Sequence, residues 1–212
     1  MFFYTLEILG TIVFAISGAL SACRKNYDLS SVMVIAFAVG NGGGTIRDVL
    51  IGATPVFWIQ QYIYLIVSVV TAVVVFLIAE KVDFNRKSLV LADTIGLGIF
   101  AIAGAQKTLI LGLPPLVAVV MGVLSAVGGG LIRDILCGDV PLIFKTEIYA
   151  TAALAGACIY VLLFLWLPND VIASVACILT VIGIRLGTIR YGWTMPTFST
   201  IRQWWERKTH HE

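Results

Sequence analysis

The chain is 212 residues long, 59% hydrophobic and only 12% charged, with a formal net charge of +2. A soluble domain carries charge on roughly a quarter of its positions, so a water-facing surface cannot be assembled from this supply. A charge of +2, with Lys and Arg scattered rather than gathered in a stripe, also argues against a nucleic-acid face, and four cysteines without CxxC spacing give no disulfide framework or metal cluster.

Apolar blocks of about twenty residues, the length a helix needs to cross roughly 30 Å of hydrocarbon, predict seven spans in chain order. The first, 4–22, carries Glu7 at its start and Ser17 in its middle. Its Leu20-Ser21-Ala22-Cys23 resembles a lipoprotein cleavage box, but Met1 to Tyr4 lack a cationic segment and Glu7 interrupts the apolar run, so an uncleaved helix is expected. The second, 31–51, contains Asn41, the triplet Gly42-Gly43-Gly44, Thr45, Arg47 and Asp48. The third, 59–79, is almost wholly apolar, and the fourth, 89–108, holds Asp93. The fifth, 115–137, contains Ser125, the triplet Gly128-Gly129-Gly130, Arg133 and Asp134. Spans at 147–167 and 170–187 complete the set, and a tail over 188–212 mixes Trp and Tyr with Arg and Lys, the composition of an anchor at the inner leaflet. The terminal His210 and His211 are assigned no role.

With the N-terminus outside, the inner segments collect Arg24, Lys25, Lys81, Arg86, Lys87, Lys145, Arg185, Arg190, Arg202, Arg207 and Lys208, against Lys107 alone outside. The positive-inside rule therefore orients the chain N-out and C-in, with a bacterial inner membrane as the expected location.

Shifted by 86 residues, the chain matches itself. Gly10 falls on Gly96, Phe14-Ala15-Ile16 on Phe100-Ala101-Ile102, Gly18-Ala19 on Gly104-Ala105, and the triplet with Ile46-Arg47-Asp48 on the second triplet with Ile132-Arg133-Asp134. Three spans per repeat force the second copy to enter from the opposite face. The expected fold is an all-α integral membrane protein: a first repeat over 1–88, an inverted second over 89–168, a seventh helix over 169–187 and the tail over 188–212.

Inverted repeats with glycine-interrupted helices place a permeation or binding site at the midplane. Three adjacent glycines weaken a helix by roughly 3 kcal/mol, so the second and fifth helices are expected to break there, exposing backbone groups beside Asn41, Thr45, Ser125 and Ser17. The competing reading is that glycines only let helices cross closely, which suits Gly10, Gly18, Gly96 and Gly104. Intramembrane charge is usually paired, and matching depths predict Glu7–Arg47 and Asp93–Arg133 contacts, with Asp48 and Asp134 as competitors and headgroup snorkelling as the alternative. No catalytic set and no metal-ligand spacing is present, so neither enzyme activity nor a cofactor is expected.

These residues resemble the TRIC family of trimeric intracellular cation channels, particularly its prokaryotic branch, on the paired motifs Gly40 to Asp48 and Val127 to Asp134. The resemblance implies a homotrimer in lipid with a pore in each protomer, kinked at the triplets, passing K⁺ first and also Na⁺, with both triplets and both Arg-Asp pairs at the pore. The lysine that animal members carry ahead of the glycines is absent. Such bacterial sequences are also labelled glycine-transporter-like. The channel reading, with an apolar neck near Phe14, Phe37 or Phe100, therefore stands beside a carrier of glycine or another small zwitterion, and a non-transporting scaffold comes third.

Overall fold

The computed structural model describes residues 2–79, 86–145, 148–167 and 170–196, together with 198 and 202. The described residues form helices α1 (Phe2–Arg24), α2 (Leu29–Leu50), α3 (Phe57–Gln60), α4 (Ile63–Ala79), α5 (Arg86–Ile110), α6 (Pro115–Leu136), α7 (Ala150–Trp166) and α8 (Asp170–Tyr191), with a 3-10 turn at Leu142–Phe144. The expected start of a span at residue 147 lies outside the described residues, as does the expected tail beyond 202. The four-residue α3 was not anticipated.

Five helices, α1, α2, α5, α6 and α8, are long and apolar enough to cross a bilayer, while α4 and α7 are apolar helices of 17 residues. The distribution of side chains is inside out relative to a water-soluble protein. Arg47, Arg133 and Arg185 are among the largest fully buried side chains, while Val34, Leu77, Leu116, Leu162 and Trp166 point outward. Lipid as the surrounding solvent accounts for both facts, because it accepts leucine freely and charge only at high cost.

Helix ends follow local chemistry. Asp28 caps α2, its carboxylate accepting the Ser31 N–H at 3.1 Å. At the other end the chain reverses at Gly52, φ +71°, with the Gly52 N–H on the Val49 carbonyl and the Ala53 N–H on the Asp48 carbonyl, the double closure of a Schellman motif. Gly138, φ +67°, ends α6 in the same way, with Gly138 on Ile135 and Asp139 on Asp134.

The packing is paired. α1 lies against α2 and α4, as α5 lies against α6 and α7; α1 also meets α5, and α2 meets α6. α8 packs on α5 and α7. Phe14 and Phe100, equivalent under the 86-residue shift, stack face to face with ring centroids 5.1 Å apart.

Both glycine triplets lie within continuous helix, so the expected breaks in the second and fifth spans are not what the structure contains. The reason is the crossing of α2 and α6. A Cβ on Gly43 would land on the Ser125 carbonyl oxygen, and one on Gly129 would sit 2.8 Å from the Val39 carbonyl oxygen, its equivalent across the repeat. Gly128 would meet the Gly43 Cα at 3.1 Å. Backbone touches backbone here, which only glycine permits, and the contact offsets the low helix propensity without opening a helix. Close crossing, expected for the other glycines, extends to the triplets.

Candidate functional site

Each Arg-Asp pair follows its triplet on α2 or α6 and turns inward, where a membrane-embedded cation must find partners. Arg47 is fully buried. Its Nη2 donates to Glu7 Oε1 of α1 at 2.8 Å, its Nε to Asp48 Oδ1 at 2.8 Å, and its Nη1 to the Ala103 carbonyl of α5 at 3.3 Å. Asp48 does not compete with Glu7; the two carboxylates share the guanidinium fork, which has five donors to distribute. The Phe57 ring lies 5.7 Å from the guanidinium carbon.

The remaining oxygens of this cluster are also engaged. Asp48 Oδ2 accepts the Phe57 N–H at 2.9 Å and the Lys107 ammonium at 2.8 Å, and Glu7 Oε2 accepts the Tyr64 hydroxyl at 3.1 Å. Asp48 thus anchors the start of α3, which explains why a short helix forms between two long ones.

The second cluster repeats the plan. Arg133 donates to Asp134 Oδ1 through Nε at 2.9 Å and, through Nη1, to Ser17 Oγ at 2.7 Å and to Asp93 Oδ1. Asp134 Oδ2 accepts the Leu142 N–H at 2.9 Å, and the Tyr149 hydroxyl donates to Asp93 Oδ1 at 3.3 Å. Ser17 and Ala103 are equivalent under the 86-residue shift, so each arginine reaches the opposite half at the same place. Arg185 of α8 approaches from outside the repeat, its guanidinium carbon 5.1 Å from the Tyr149 ring centroid and its Nη1 3.4 Å from the Ile148 carbonyl. Such buried networks are strong only when satisfied, and most of these donors are.

Of the uncharged candidates, Asn41 donates to Ser68 Oγ of α4 at 2.8 Å, and Thr45 accepts the Trp58 indole N–H at 3.0 Å. Ser17 joins the Arg133 cluster. Ser125 packs at the crossing with α2, its carbonyl against Gly43, and its hydroxyl has no hydrogen-bond partner among the described residues. The triplets and the two charge clusters are therefore neighbours: a Cβ on Gly130 would meet the Tyr149 hydroxyl, and one on Gly44 would meet Phe57 at 2.7 Å.

Lys107, Tyr64, Tyr149 and Arg185 were not anticipated as site residues. The tyrosines carried a signal: beyond the prolines Pro55 and Pro141 the repeat offset drops from 86 to 85, which aligns Phe57 with Leu142 and Tyr64 with Tyr149. Lys107 looked like a loop charge because it stands one turn from the end of α5.

At the cytoplasm-facing end of the expected topology, the loop charges are exposed. The Lys25 ammonium lies 2.6 Å from Asp139, whose hydrogen bond raises the lysine above its ordinary value, and hydrogen bonds from Ser30 and Ser31 hold the Asp28 carboxyl down at about 2. A cavity of about 390 Å³ opens nearby, lined by Tyr27, Ser30, Ser31, Val34, Ile35 and Leu136.

Comparison with known proteins sets these features in a family. A family model described as "Glycine transporter" matches residues 4–80 and again 90–165. The inner membrane protein YadS of Escherichia coli K12, described as UPF0126, is 37% identical over 202 residues, covering 94% of this chain and 97% of that protein. The crystal structure of the TRIC trimeric intracellular cation channel orthologue from Rhodobacter sphaeroides superposes with a TM-score of 0.86 at 36% identity, covering 90% of this chain and 98% of that one. A prokaryotic TRIC channel crystallised in 0.5 M KCl gives 0.84 at 31% identity, covering 92% and 99%.

Proposed function

The chain belongs to the TRIC-like family of UPF0126 multi-pass membrane proteins, and from that premise we propose that it is a channel for monovalent cations, K⁺ foremost and Na⁺ as well, with one permeation path in each protomer between the two halves. It acts on no covalent bond and is not an enzyme. The observation that carries this reading is the pair of buried charge clusters, Arg47 with Glu7 and Asp48, and Arg133 with Asp93 and Asp134, flanking the α2–α6 crossing. Charge at that depth is costly, and its usual use is to line an ion's route. The solved Rhodobacter sphaeroides relative, at 36% identity, is a cation channel by description, which supports the same reading.

In this proposal the seven apolar helices, α4 and α7 included, all span the bilayer, N-out and C-in, as two inverted repeats with α8 beside the second. The Arg47 cluster then lies toward the outside and the Arg133 cluster toward the inside. The path is shut where Gly43 meets the Ser125 carbonyl and Phe14 stacks on Phe100, so conduction requires α2 and α6 to part at the triplets. Gly42, Gly43, Gly44, Gly128, Gly129 and Gly130, with Asn41, Thr45, Ser125 and Ser17, are the uncharged positions along it. Three copies in lipid form the assembly.

The family model's description keeps one other reading in play, a carrier of glycine or another small zwitterion through the same crossing. Recording from purified protein in planar bilayers decides between them. Stepwise unitary currents reversing at the K⁺ potential are expected; saturable uptake of labelled glycine into liposomes without such steps would replace the channel with the carrier.

A further inference from the structure

The tyrosines that serve the two clusters are held in different ways. In the first half Tyr64 donates to Glu7, and its ring meets two others edge to face, Phe57 with centroids 4.7 Å apart and Tyr4 at 6.0 Å. The positions equivalent to these rings in the second half are Leu142 and Val90, so Tyr149 inherits neither. A cation takes their place. Arg185 is fully buried on α8, the helix outside the repeat; its guanidinium carbon stands 5.1 Å from the Tyr149 ring centroid, and its Nη1 donates to the Ile148 carbonyl at 3.4 Å. One side chain thus grips both the ring and the backbone that leads into α7, where Tyr149 is the N-cap residue but closes no cap with its side chain.

The far end of Tyr149 reaches the crossing. Its hydroxyl donates to Asp93 Oδ1, the atom that Arg133 also meets, and fills the space a Cβ on Gly130 would need. Asp93 belongs to α5, while Gly130 and Arg133 belong to α6, so a movement of α6 at its triplet must displace this hydroxyl or break its contact with Asp93. We propose that Arg185 is a positioning residue for channel opening: by fixing the Tyr149 ring it holds the hydroxyl on Asp93 and against Gly130, and so latches α6 in the closed crossing from a helix that belongs to neither repeat. A desolvated cation over an aromatic face is a strong contact for a ring whose hydroxyl is already committed. This rests on the channel reading and deepens it: α8 brakes the Arg133 half, whereas the Arg47 half carries its own aromatic support.

The test is single-channel recording from purified protein in planar bilayers, with the unfolding midpoint in detergent measured on the same preparations. Arg185→Met is expected to raise the ratio of open to closed time by about fivefold or more, the worth of a desolvated cation–π contact, with unitary conductance unchanged. Arg185→Lys, which keeps a cation for the ring, should stay near the unmodified ratio. Tyr149→Phe leaves the ring to Arg185 and removes only the hydroxyl. It should raise the ratio likewise, and Arg185→Met should add little to it, because residues acting through one contact are not additive. Tyr149→Phe carries the test alone should Arg185→Met fail to fold. A lowered midpoint with an unchanged ratio in Arg185→Met, an unchanged ratio in Tyr149→Phe, or full additivity of the two would overturn the latch. Unitary steps that ignore these variants would defeat this inference and leave the channel standing; no steps in the unmodified protein would remove the channel reading and this inference with it.

Discussion

Removing the Arg47 guanidinium leaves Glu7 with the Tyr64 hydroxyl and no cation, and takes from Asp48 one of its two cations, in an interior that cannot hydrate either carboxylate. Breaking a buried pair from one side costs about 3–5 kcal/mol. Arg47→Ala is therefore expected to lower the thermal midpoint of the detergent-solubilised protein sharply, and the double variant Arg47→Ala/Glu7→Gln to recover part of the loss. A double variant no better than the single one would show that Glu7 finds another donor. The contact itself was legible in the sequence, because Glu7 and Arg47 sit at matching depths on neighbouring helices and lipid offers neither another partner. The sharing of Arg47 by Asp48 was not, since depth places residues but does not assign the donors of a guanidinium. Lys107 was misjudged for a related reason: a long flexible side chain at a helix end can reach water or bend back, and only the position of Asp48 decides.

Asp28 yields a pH dependence at the same scale. Its folded value of about 2 is below that of a free carboxylate, so its contribution to holding the first turn of α2 is present above the ordinary carboxylate range and is lost as pH falls through about 2. Hydrogen exchange of the first-turn amides, taken relative to intrinsic rates, should lose protection between about pH 4 and pH 2. Asp28→Asn, which caps without titrating, should show no such change.

For the elements, the glycines offer the sharpest contrast. Gly183 of α8 has nothing within 4 Å of where a Cβ would stand, so Gly183→Ala should stabilise by up to about 1 kcal/mol through helix propensity alone. Gly43→Ala drives a methyl into the Ser125 carbonyl and should destabilise by at least the 1–3 kcal/mol typical of overpacking. Unfolding midpoints moving in the same direction for both would contradict the close crossing of α2 and α6. The sequence located that crossing through its triplets, but the expected break did not follow. Helix propensity counts what glycine costs a lone helix; it is blind to the partner whose backbone occupies the space a side chain would have filled. The short α3 was hidden likewise, because its anchor, the Asp48 carboxylate, lies nine residues back.

For the whole molecule, the apolar blocks and the repeat were enough to read an all-helical membrane fold, because lipid permits few alternatives and the 86-residue shift survives in residues that pack backbones or bear charge. Sidedness rests on the distribution of Lys and Arg. Single cysteines at Lys25 and at Leu111, in a background without the four native cysteines, should react with an impermeant maleimide from the cytoplasmic and the external side respectively. Equal labelling from one side would refute the proposed orientation. Native mass spectrometry of lipid-solubilised protein should give three chains.

The ring of Phe14 roofs Gly96 and Gly129 while Phe100 roofs Gly10, so each half lends the other its bulk. Size at this seam can be traded but not added: an enlarged residue at one glycine needs a smaller ring opposite, and drift in either half obliges a matching change in its twin. At this seam the glycine and the ring that covers it lie in different halves, so an alteration in one copy is felt in the other.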